Sequence, residues 1–244
     1  MNADLQNFKE LFYSRTSKVV DVDKLSNSKV AVIGCGGLGS FSAEILARTG
    51  VGHLVLVDND KVEVSNLARQ NFEINDLNKY KVEALKEKIH KINSDIKITS
   101  YPVKFTISNA NEILKDVDCV LSAVDSLKAK KEINFACKKL SIPFVHSTAV
   151  KQNGEILFVT KNSVCVECLY PNMEESPEKP EDVGVIPPVP TIVGLVASNM
   201  IINYLSNRTT YENVLYRFNF KTMDFYKIKL KQRNDCPVCS IKDN

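Results

Sequence analysis

Short apolar runs alternate with amphipathic stretches over the first 150 residues of this chain. The apolar runs predict strands at 29–33, 54–58, 96–101, 117–123 and 143–147. Between them, apolar residues spaced three and four apart predict helices at 40–49, 79–92, 108–115 and 127–140. Strands that alternate with helices are typical of βαβ units. The pattern therefore predicts an α/β fold with a doubly wound, mainly parallel, Rossmann-like sheet.

The pattern changes after residue 150. Strands are predicted at 155–160, 214–220 and 223–230, and the short turn Lys221-Thr222 predicts that the last two pair as an antiparallel hairpin. The sheet is therefore expected to continue with antiparallel strands at its C-terminal end. We interpret residues 1–244 as a single domain.

Three segments flank or interrupt this pattern. Residues 1–20 carry a short amphipathic pattern that predicts an N-terminal helical arm. Residues 171–190 are rich in proline and acidic residues, which predicts a mobile crossover loop. Residues 183–207 carry no charge and are long enough to span a bilayer. Their prolines and asparagines instead favour a buried helix from about residue 191 to residue 205.

Composition limits the function classes. The chain has 244 residues, of which 44% are hydrophobic and 25% are charged, as in an ordinary globular protein. Its formal net charge of +3 gives no argument for binding to nucleic acid or to an anionic membrane. The first 15 residues lack the apolar core of a signal peptide. We therefore expect a cytoplasmic protein whose seven cysteines do not form disulfides.

A glycine loop follows the first predicted strand and opens the first long helix. Gly34, Gly36 and Gly39 match the G-x-G-x-x-G spacing, in which glycines let the backbone approach a phosphate at a helix N-terminus. Asp58 lies 19 residues beyond Gly39, at the end of the second strand and close to Asp60. An acid at this position can hold a ribose hydroxyl. The loop predicts a nucleotide site but does not distinguish ATP from NAD.

Polar residues further along the chain favour a triphosphate. Asn66, Arg69 and Gln70 place two amides and a guanidinium within five residues. An arginine fork suits phosphate oxygens, and Lys81 is a mobile positive charge at the start of a helix. Asp125 follows the fourth predicted strand, where a carboxylate can hold Mg²⁺ on a triphosphate. Each residue alone would more often be a solvated surface group, but the set predicts an ATP site.

Two C-x-x-C pairs predict a structural metal site. Cys165 and Cys168 form the first pair, and Cys236 and Cys239 form the second. Four thiolates can close a tetrahedral Zn²⁺ site with no open position. Such a site would clip the C-terminal tail to the segment that follows strand 155–160. A redox pair, or two unrelated pairs, is the alternative.

These motifs give the chain a resemblance to a known family. The chain resembles the ThiF/MoeB/HesA adenylyltransferases, relatives of ubiquitin-activating enzymes, in its motifs GCGGLGS, LVLVDND, SNLARQ, KVEALK and VLSAVDS and in its two C-x-x-C pairs. The resemblance implies that Asp58 holds the ribose, that Gly37 lines the phosphate loop, and that Asp125 positions Mg²⁺ and ATP. It also implies contacts to the triphosphate from Asn66, Arg69, Gln70 and Lys81.

Two further features refine the resemblance. Family members borrow an arginine from the other subunit of a homodimer through an N-terminal R-Y-x-R-Q motif. Tyr13-Ser14-Arg15-Thr16 resembles a degraded copy of it, which implies a cross-subunit role for Arg15. Some relatives also carry a late cysteine that takes the activated carrier as a thioester, but no cysteine lies between Leu169 and Asp235. The chain is therefore nearest the MoeB type, which adenylates without an enzyme thioester.

The resemblance implies a specific reaction. ATP would activate the C-terminal glycine carboxylate of a small ubiquitin-like sulfur-carrier protein, and pyrophosphate would leave. The alternatives are ATP-dependent cyclisation of a carboxylate-bearing modified tRNA base and a non-catalytic nucleotide-binding scaffold. The small net charge and the cysteine pairs favour a protein substrate over RNA. An NAD oxidoreductase is disfavoured because His146 is the only plausible proton donor.

Overall fold

The fold is built around one eight-stranded sheet with the order β3-β2-β1-β4-β5-β6-β7-β8. The computed structural model describes residues 8–171 and 183–241 of the chain. Five strands run parallel: β1 (Lys29–Ile33), β2 (His53–Val57), β3 (Lys97–Tyr101), β4 (Cys119–Ser122) and β5 (Phe144–Val150). Three strands continue the sheet in antiparallel fashion: β6 (Asn153–Val159), β7 (Val214–Asn219) and β8 (Asp224–Lys229).

Helices connect the strands and cover both faces of the sheet. The α-helices are α1 (Val22–Ser26), α2 (Gly39–Thr49), α3 (Val64–Leu67), α4 (Lys81–Ile92), α5 (Ala110–Ile113), α6 (Leu127–Lys139), α7 (Val166–Leu169) and α8 (Pro188–Asn207). Short 3-10 turns lie at Thr16–Lys18 and Ile74–Asp76. Residues 8–12 are also helical, in the predicted N-terminal arm. Residues 1–7, and residues 172–182 of the predicted crossover loop, lie outside the described residues.

The predicted strand and helix boundaries agree with the structure within two residues, except at two places. The late helix begins at Pro188 and not near residue 191, because proline is tolerated in the first turn of a helix, where its missing N–H has no partner to lose. Strand β5 continues to Val150 and not to residue 147, because it pairs with β6 as a hairpin in which Val150 faces Asn153.

Helix α8 has the length and apolar character of a membrane span, but it lies in the core. In the most apolar part of the helix, 61% of the residues are buried inside the protein. The helix packs against β5, β6 and α2. The Ser42 hydroxyl of α2 donates a hydrogen bond to the carbonyl oxygen of Gly194 at 3.0 Å, which joins the two helices. We therefore describe α8 as a core helix.

The core has two halves, one on each face of the sheet. Side chains of α2, α4 and α8 form an apolar cluster with the first face, and those of α5 and α6 form another with the second face. Helix α2 follows β1 and α6 follows β4, so adjacent strands send their helices to opposite faces. The strand order reverses between β1 and β4. In doubly wound sheets this reversal opens a crevice at the carboxyl ends of the strands, where ligands bind.

Candidate active site

The glycine loop leaves β1 at this crevice, and two of its glycines have no room for a side chain. Gly34 has a φ of +92°, and a Cβ atom there would lie 2.6 Å from the carbonyl oxygen of Ala123. A Cβ atom at Gly39 would lie 1.8 Å from the carbonyl oxygen of Gly34. The loop is therefore packed against itself and against the end of β4. It leads directly into α2, which is the local arrangement that holds phosphate in nucleotide-binding folds.

Asp58 closes the glycine loop from the end of β2. Its Oδ2 accepts a hydrogen bond from the amide of Cys35 at 2.7 Å, and its Oδ1 accepts one from the amide of Asp60 at 2.8 Å. Burial raises the pKa of Asp58, although Lys81 and the two amides act in the opposite direction. Each carboxylate oxygen can accept more than one hydrogen bond. The side chain can therefore hold a ribose hydroxyl while it braces the loop.

Lys81 brings a buried positive charge to the same place. Its side chain is only 7% exposed, and its Nζ lies 2.8 Å from Oδ2 of Asp60, which is 57% exposed. Burial raises the pKa of both Cys35 and Asp58, and the Lys81 charge partly offsets that rise in each. A triphosphate carries more negative charge than one carboxylate and would compete with Asp60 for this ammonium group. The pair therefore holds Lys81 in place and leaves it able to bind a phosphate.

Residues 65–70 at and after α3 form a polar run, and two of its side chains hydrogen-bond to nearby backbone atoms. Oδ1 of Asn66 accepts a hydrogen bond from the amide of Glu63 at 3.1 Å, so this buried side chain caps α3. Nη1 of Arg69 donates to the carbonyl oxygen of Ser65 at 2.7 Å. Asn66 therefore has a structural task, whereas Arg69 is half-buried and keeps contact with solvent. A guanidinium has five N–H donors, so Arg69 can also bind phosphate oxygens.

Gln70 is the residue of this run that lies against the glycine loop. A Cβ atom at Gly36 would lie 3.8 Å from Nε2 of Gln70, and one at Gly37 would lie 3.1 Å from the carbonyl oxygen of Arg69. Gln70 is 7% exposed, and its Oε1 hydrogen-bonds no residue within 8–171 or 183–241. A buried oxygen without a donor is unfavourable. It fits a site in which a ligand hydroxyl or a water molecule supplies the missing hydrogen bond.

Asp125 completes the crevice from the opposite side. It is exposed and lies just beyond the end of β4. The amide of Ala123 donates to the carbonyl oxygen of Ile33 at 2.9 Å, which fixes this segment beside the glycine loop. The hydroxyl of Ser126 then caps α6 by accepting from the amide of Ala129 at 3.2 Å. The structure thus places an exposed carboxylate at the switch point of the sheet.

Arg15 is not part of this arrangement within one chain. It is exposed and follows Tyr13, whose buried hydroxyl accepts a hydrogen bond from Nδ2 of Asn93 at 2.8 Å. Tyr13 also packs against Gly50, so both contacts of Tyr13 lie just beyond the C-terminal ends of α2 and α4. The glycine loop lies at the other end of α2, whose 11 residues span about 16 Å. Arg15 therefore lies near the end of the sheet where the parallel strands begin, whereas the crevice of its own chain lies where they end.

The histidine considered for a dehydrogenase is unsuited to proton transfer at the crevice. His146 lies inside β5 and is fully buried. Burial and the nearby charge of Lys130 lower the pKa of His146 to about 3. Burial also lowers the pKa of His53, at the start of β2, to about 4. A proton donor for hydride chemistry is not provided by these two side chains.

The four predicted metal-ligating cysteines meet on the second face of the sheet. The Sγ atoms of Cys165, Cys168, Cys236 and Cys239 all lie within 4.8 Å of one another. The Sγ atom of Cys165 lies 4.0 Å from that of Cys168 and 3.7 Å from that of Cys236, and the Sγ atoms of Cys168 and Cys239 are 3.6 Å apart. Bonds of 2.3 Å in a tetrahedron separate the sulfur atoms by about 3.8 Å. The four side chains therefore fit one metal ion, and the separations are far longer than the roughly 2 Å of a disulfide.

Two contacts of the site were not expected from the sequence. The amide of Asn71 donates to the hydroxyl of Ser40 at 3.0 Å, which ties the polar run to the first turn of α2. Pro190 of α8 packs against the loop, because a Cβ atom at Gly37 would lie 3.2 Å from its ring. Asn71 directly follows the polar run, which is a usable signal. The contact of Pro190 joins residues far apart in the chain and has no local signal.

Comparison with known proteins places this geometry in context. The family model described as ThiF family matches residues 10–238. The chain is 32% identical over 235 residues to the sulfur carrier protein ThiS adenylyltransferase of Escherichia coli, covering 93% of this chain and 94% of that protein. It is 32% identical over 248 residues to the adenylyltransferase and sulfurtransferase UBA4 of Kluyveromyces lactis, covering 95% of this chain but only 54% of UBA4. The chain therefore spans about half the length of that relative.

The fold also matches a solved structure. The crystal structure of Escherichia coli MccB with MccA-N7isoASN superposes with a TM-score of 0.80, at 22% identity, over 90% of this chain and 69% of MccB. At this identity the likeness establishes the fold alone.

Proposed function

This chain belongs to the ThiF family, and from that premise we propose that it is an ATP-dependent adenylyltransferase that activates the C-terminal glycine carboxylate of a small ubiquitin-like sulfur-carrier protein. The named relatives are adenylyltransferases, and the relative matched over nearly its whole length acts on the sulfur carrier ThiS. One observation carries the proposal: the glycine loop, Asp58, Lys81, Gln70 and Asp125 converge at one crevice. We also propose that the protein acts in the cytoplasm.

The reaction needs charge control more than proton transfer. A C-terminal carboxylate is already ionised at neutral pH, so one of its oxygens can attack the α-phosphorus of ATP without a base. The new bond joins the carboxylate oxygen to the α-phosphorus, and the bond to the bridging oxygen of pyrophosphate breaks. The products are an acyl-adenylate and pyrophosphate. Positioned positive charges and hydrogen-bond donors supply the catalysis.

The crevice residues divide this work. Asp58 would hold the ribose, and Gly34, Gly36, Gly37 and Gly39 would let the phosphates approach the backbone. Lys81 would leave Asp60 and neutralise charge on the phosphates, joined by Arg69, while Gln70 and Asn66 would fix the segment that lines them. Asp125 would hold Mg²⁺, which would supply further positive charge to the triphosphate when bound. The separations of the four cysteine sulfur atoms support Zn²⁺ as the structural metal.

The first test is ATP–pyrophosphate exchange. Purified protein should exchange labelled pyrophosphate into ATP only when a cognate ubiquitin-like carrier is present, because the acyl-adenylate must form before pyrophosphate can return. The matched control is the same carrier without its C-terminal glycine, which should give background exchange. If ATP binds but none of a panel of such carriers supports exchange, a scaffold role replaces the proposal. We expect mass spectrometry to find carrier adenylate and no thioester, since residues 170–234 contain no cysteine.

The position of Arg15 supports a homodimer in which each subunit completes the site of the other. Tyr13, two residues before Arg15, is anchored at the end of α2 that lies away from its own crevice, so Arg15 is better placed to serve the crevice of another copy. Mixing two inactive variants tests this. Arg15→Ala and Asp125→Ala should each be inactive alone. Co-refolded together, they should recover about a quarter of wild-type activity, because half of the dimers then contain one intact site.

The mixing experiment has two controls. Lys18→Ala removes another exposed positive charge from the same arm and should keep full activity. Mixing Asp125→Ala with a Lys81→Ala variant should recover nothing, because Asp125 and Lys81 lie in the same crevice. Recovery in that second mixture, or none in the first, would overturn the cross-subunit role of Arg15.

A further inference from the structure

Three polar side chains near the end of β4 are buried and keep at least one polar atom without a hydrogen bond in the described residues. Ser122 is 1% exposed, and Asn134 and His146 are fully buried. The Ser122 hydroxyl, Nδ2 of Asn134 and both ring nitrogens of His146 hydrogen-bond no group in the described parts of the chain. An unpaired buried polar group lowers stability, so several of them in one part of the core require an explanation.

The three side chains share one region of the second face. Ser122 and His146 are register partners on the neighbouring parallel strands β4 and β5, about 4.8 Å apart, and therefore point to the same face. Asn134 lies on α6, which covers this face, and its Oδ1 accepts a hydrogen bond from the amide of Val166 at 3.0 Å. Val166 begins the turn that carries Tyr170, whose ring lies 5.9 Å from that of His146. Tyr170 therefore packs against His146, and Asn134 holds the start of the turn that carries Tyr170.

This region lies directly behind the segment that carries Asp125. The hydroxyl of Ser147 donates to the carbonyl oxygen of Ser122 at 2.9 Å, which fixes the end of β4 to β5. The next carbonyl oxygen, that of Ala123, lies so close to the glycine loop that a Cβ atom at Gly34 would be 2.6 Å from it. The segment from Ser122 to Asp125 is therefore held between the glycine loop and β5. A shift of the end of β4 would therefore also shift Asp125, which follows three residues later.

The unpaired groups form a set that water can satisfy. His146 is neutral at ordinary pH, since its pKa lies near 3, so one ring nitrogen donates and the other accepts. Nδ2 of Asn134 only donates, and the Ser122 hydroxyl can do either. A buried water molecule makes two to four hydrogen bonds to such groups. The two ring nitrogens of His146 point in different directions, so pairing all of these groups takes more than one water molecule.

We propose that Ser122, Asn134 and His146 bind internal water, and that His146 is thereby a positioning residue that sets the place of Asp125. The role of Asp125 rests on the proposed function, but the water site itself does not. If Asp125 is held less rigidly, the affinity for magnesium–ATP and the rate of adenylation should fall, because small displacements of a positioned group lower rates by factors of about ten to a hundred. The water would act as a fixed spacer between β5, α6 and the end of β4.

The substitution His146→Leu tests this inference. Leucine removes the polar groups at similar size, so a histidine with no water to hold would be replaced without loss of stability. If water joins His146 to Ser122 and Asn134, leucine leaves these groups short of a partner, so we expect the melting temperature to fall by about a few degrees. We also expect kcat/KM for ATP to fall about tenfold, and the affinity for Mg²⁺ with α,β-methylene ATP to fall about as much. His146→Gln, which keeps one donor and one acceptor, should recover most of both losses.

The controls separate this inference from the proposed function. Phe144→Leu changes the same face of the same strand without a polar group, and it should lower stability but keep the affinity for the ATP analogue. The calorimetric binding arm needs no carrier, so it still decides the inference if no carrier supports exchange. Unchanged binding and kcat/KM in His146→Leu would overturn the inference. Failure of His146→Gln to recover binding would do the same, because the effect would then be one of packing.

Discussion

Replacing Asp125 by alanine is expected to lower carrier-dependent ATP–pyrophosphate exchange by at least about a hundredfold. Asp125 is the exposed carboxylate at the switch point of the sheet, beside the glycine loop. It is fixed by the contact of Ala123 with Ile33 and by the cap that Ser126 provides to α6. No other residue proposed for the crevice combines negative charge, exposure and this position. Asp60 is the nearest candidate, but its carboxylate is paired with Lys81.

The physical reason is the charge of the triphosphate. ATP brings several negative charges into a crevice whose own positive groups are Lys81 and Arg69. A carboxylate can improve that balance only by holding a cation, so its removal should weaken magnesium–ATP far more than ATP alone. The measurement is therefore exchange rate together with calorimetric affinity, with and without Mg²⁺. Asp125→Asn should lose nearly as much, because an amide keeps the shape but not the charge.

Two outcomes decide this prediction. Glu112→Ala, which removes another exposed carboxylate on the short helix α5, should keep wild-type exchange. If Asp125→Ala keeps exchange at the level of Glu112→Ala, the assignment of the crevice as the reacting centre is wrong. If Asp125→Ala loses exchange but its melting temperature also falls sharply, the loss reports unfolding, and Asp125→Asn then decides between the two. An exposed residue should not change stability by more than about 0.5 kcal/mol.

The sequence predicts the fold well because its signals are local. The central parallel strands β1, β2 and β4 are short runs of mostly buried apolar residues, as in Val30–Ile33, and such runs are typical of strands that are covered on both faces. The edge strand β3 has one buried residue and a weaker pattern. The glycine loop is equally local, because Gly34 and Gly39 are required by contacts within a short turn and with the next strand. The start of α8 was harder to predict, because prolines usually break a helix. In the structure they occupy the first turn of α8, where proline is tolerated.

The sequence predicted which residues belong to the site, but it did not predict how their side chains contact one another. Nothing in the sequence shows that Lys81 pairs with Asp60, because these residues are 21 positions apart and meet only when the start of α4 packs beside the end of β2. The contact of Arg69 with Ser65 is local, but the side chain could equally point into solvent. His146 is the clearest case. Its place in a strand was predicted, but its unpaired burial depends on α6 and Tyr170, which come from elsewhere in the chain. Tertiary contacts of this kind leave no trace in local pattern.

Replacing Cys236 by serine is expected to have the largest effect on stability. Cys236 and Cys165 are fully buried, belong to the apolar cluster of the second face, and hold their sulfur atoms 3.7 Å apart. A hydroxyl is a poor ligand for zinc, so the variant should lose the metal. Structural zinc sites contribute several kcal/mol or more to folding, which corresponds to a fall of about 10 °C or more in melting temperature for a chain of this size.

The effect follows from what the four cysteines connect. Cys165 is the N-cap of α7 and Cys168 lies within this helix, which leads to Tyr170. Cys236 and Cys239 lie in the C-terminal tail beyond β8. Without metal, the tail is joined to the body chiefly by the edge strand β8, whose six residues are all exposed. Cys137→Ala is the matched control, because it shortens a buried cysteine in the same cluster outside the four-sulfur site.

Metal analysis and melting together make the zinc prediction decisive. The wild-type protein and Cys137→Ala should each carry one zinc per chain by plasma mass spectrometry, and Cys236→Ser should carry none. A chelator should lower the melting temperature of the first two proteins and leave that of Cys236→Ser unchanged. Cysteines that formed only a thiol cluster would give no metal in any of the three proteins. Cys236→Ser would then cost no more stability than Cys137→Ala, because each would be the loss of one small buried group.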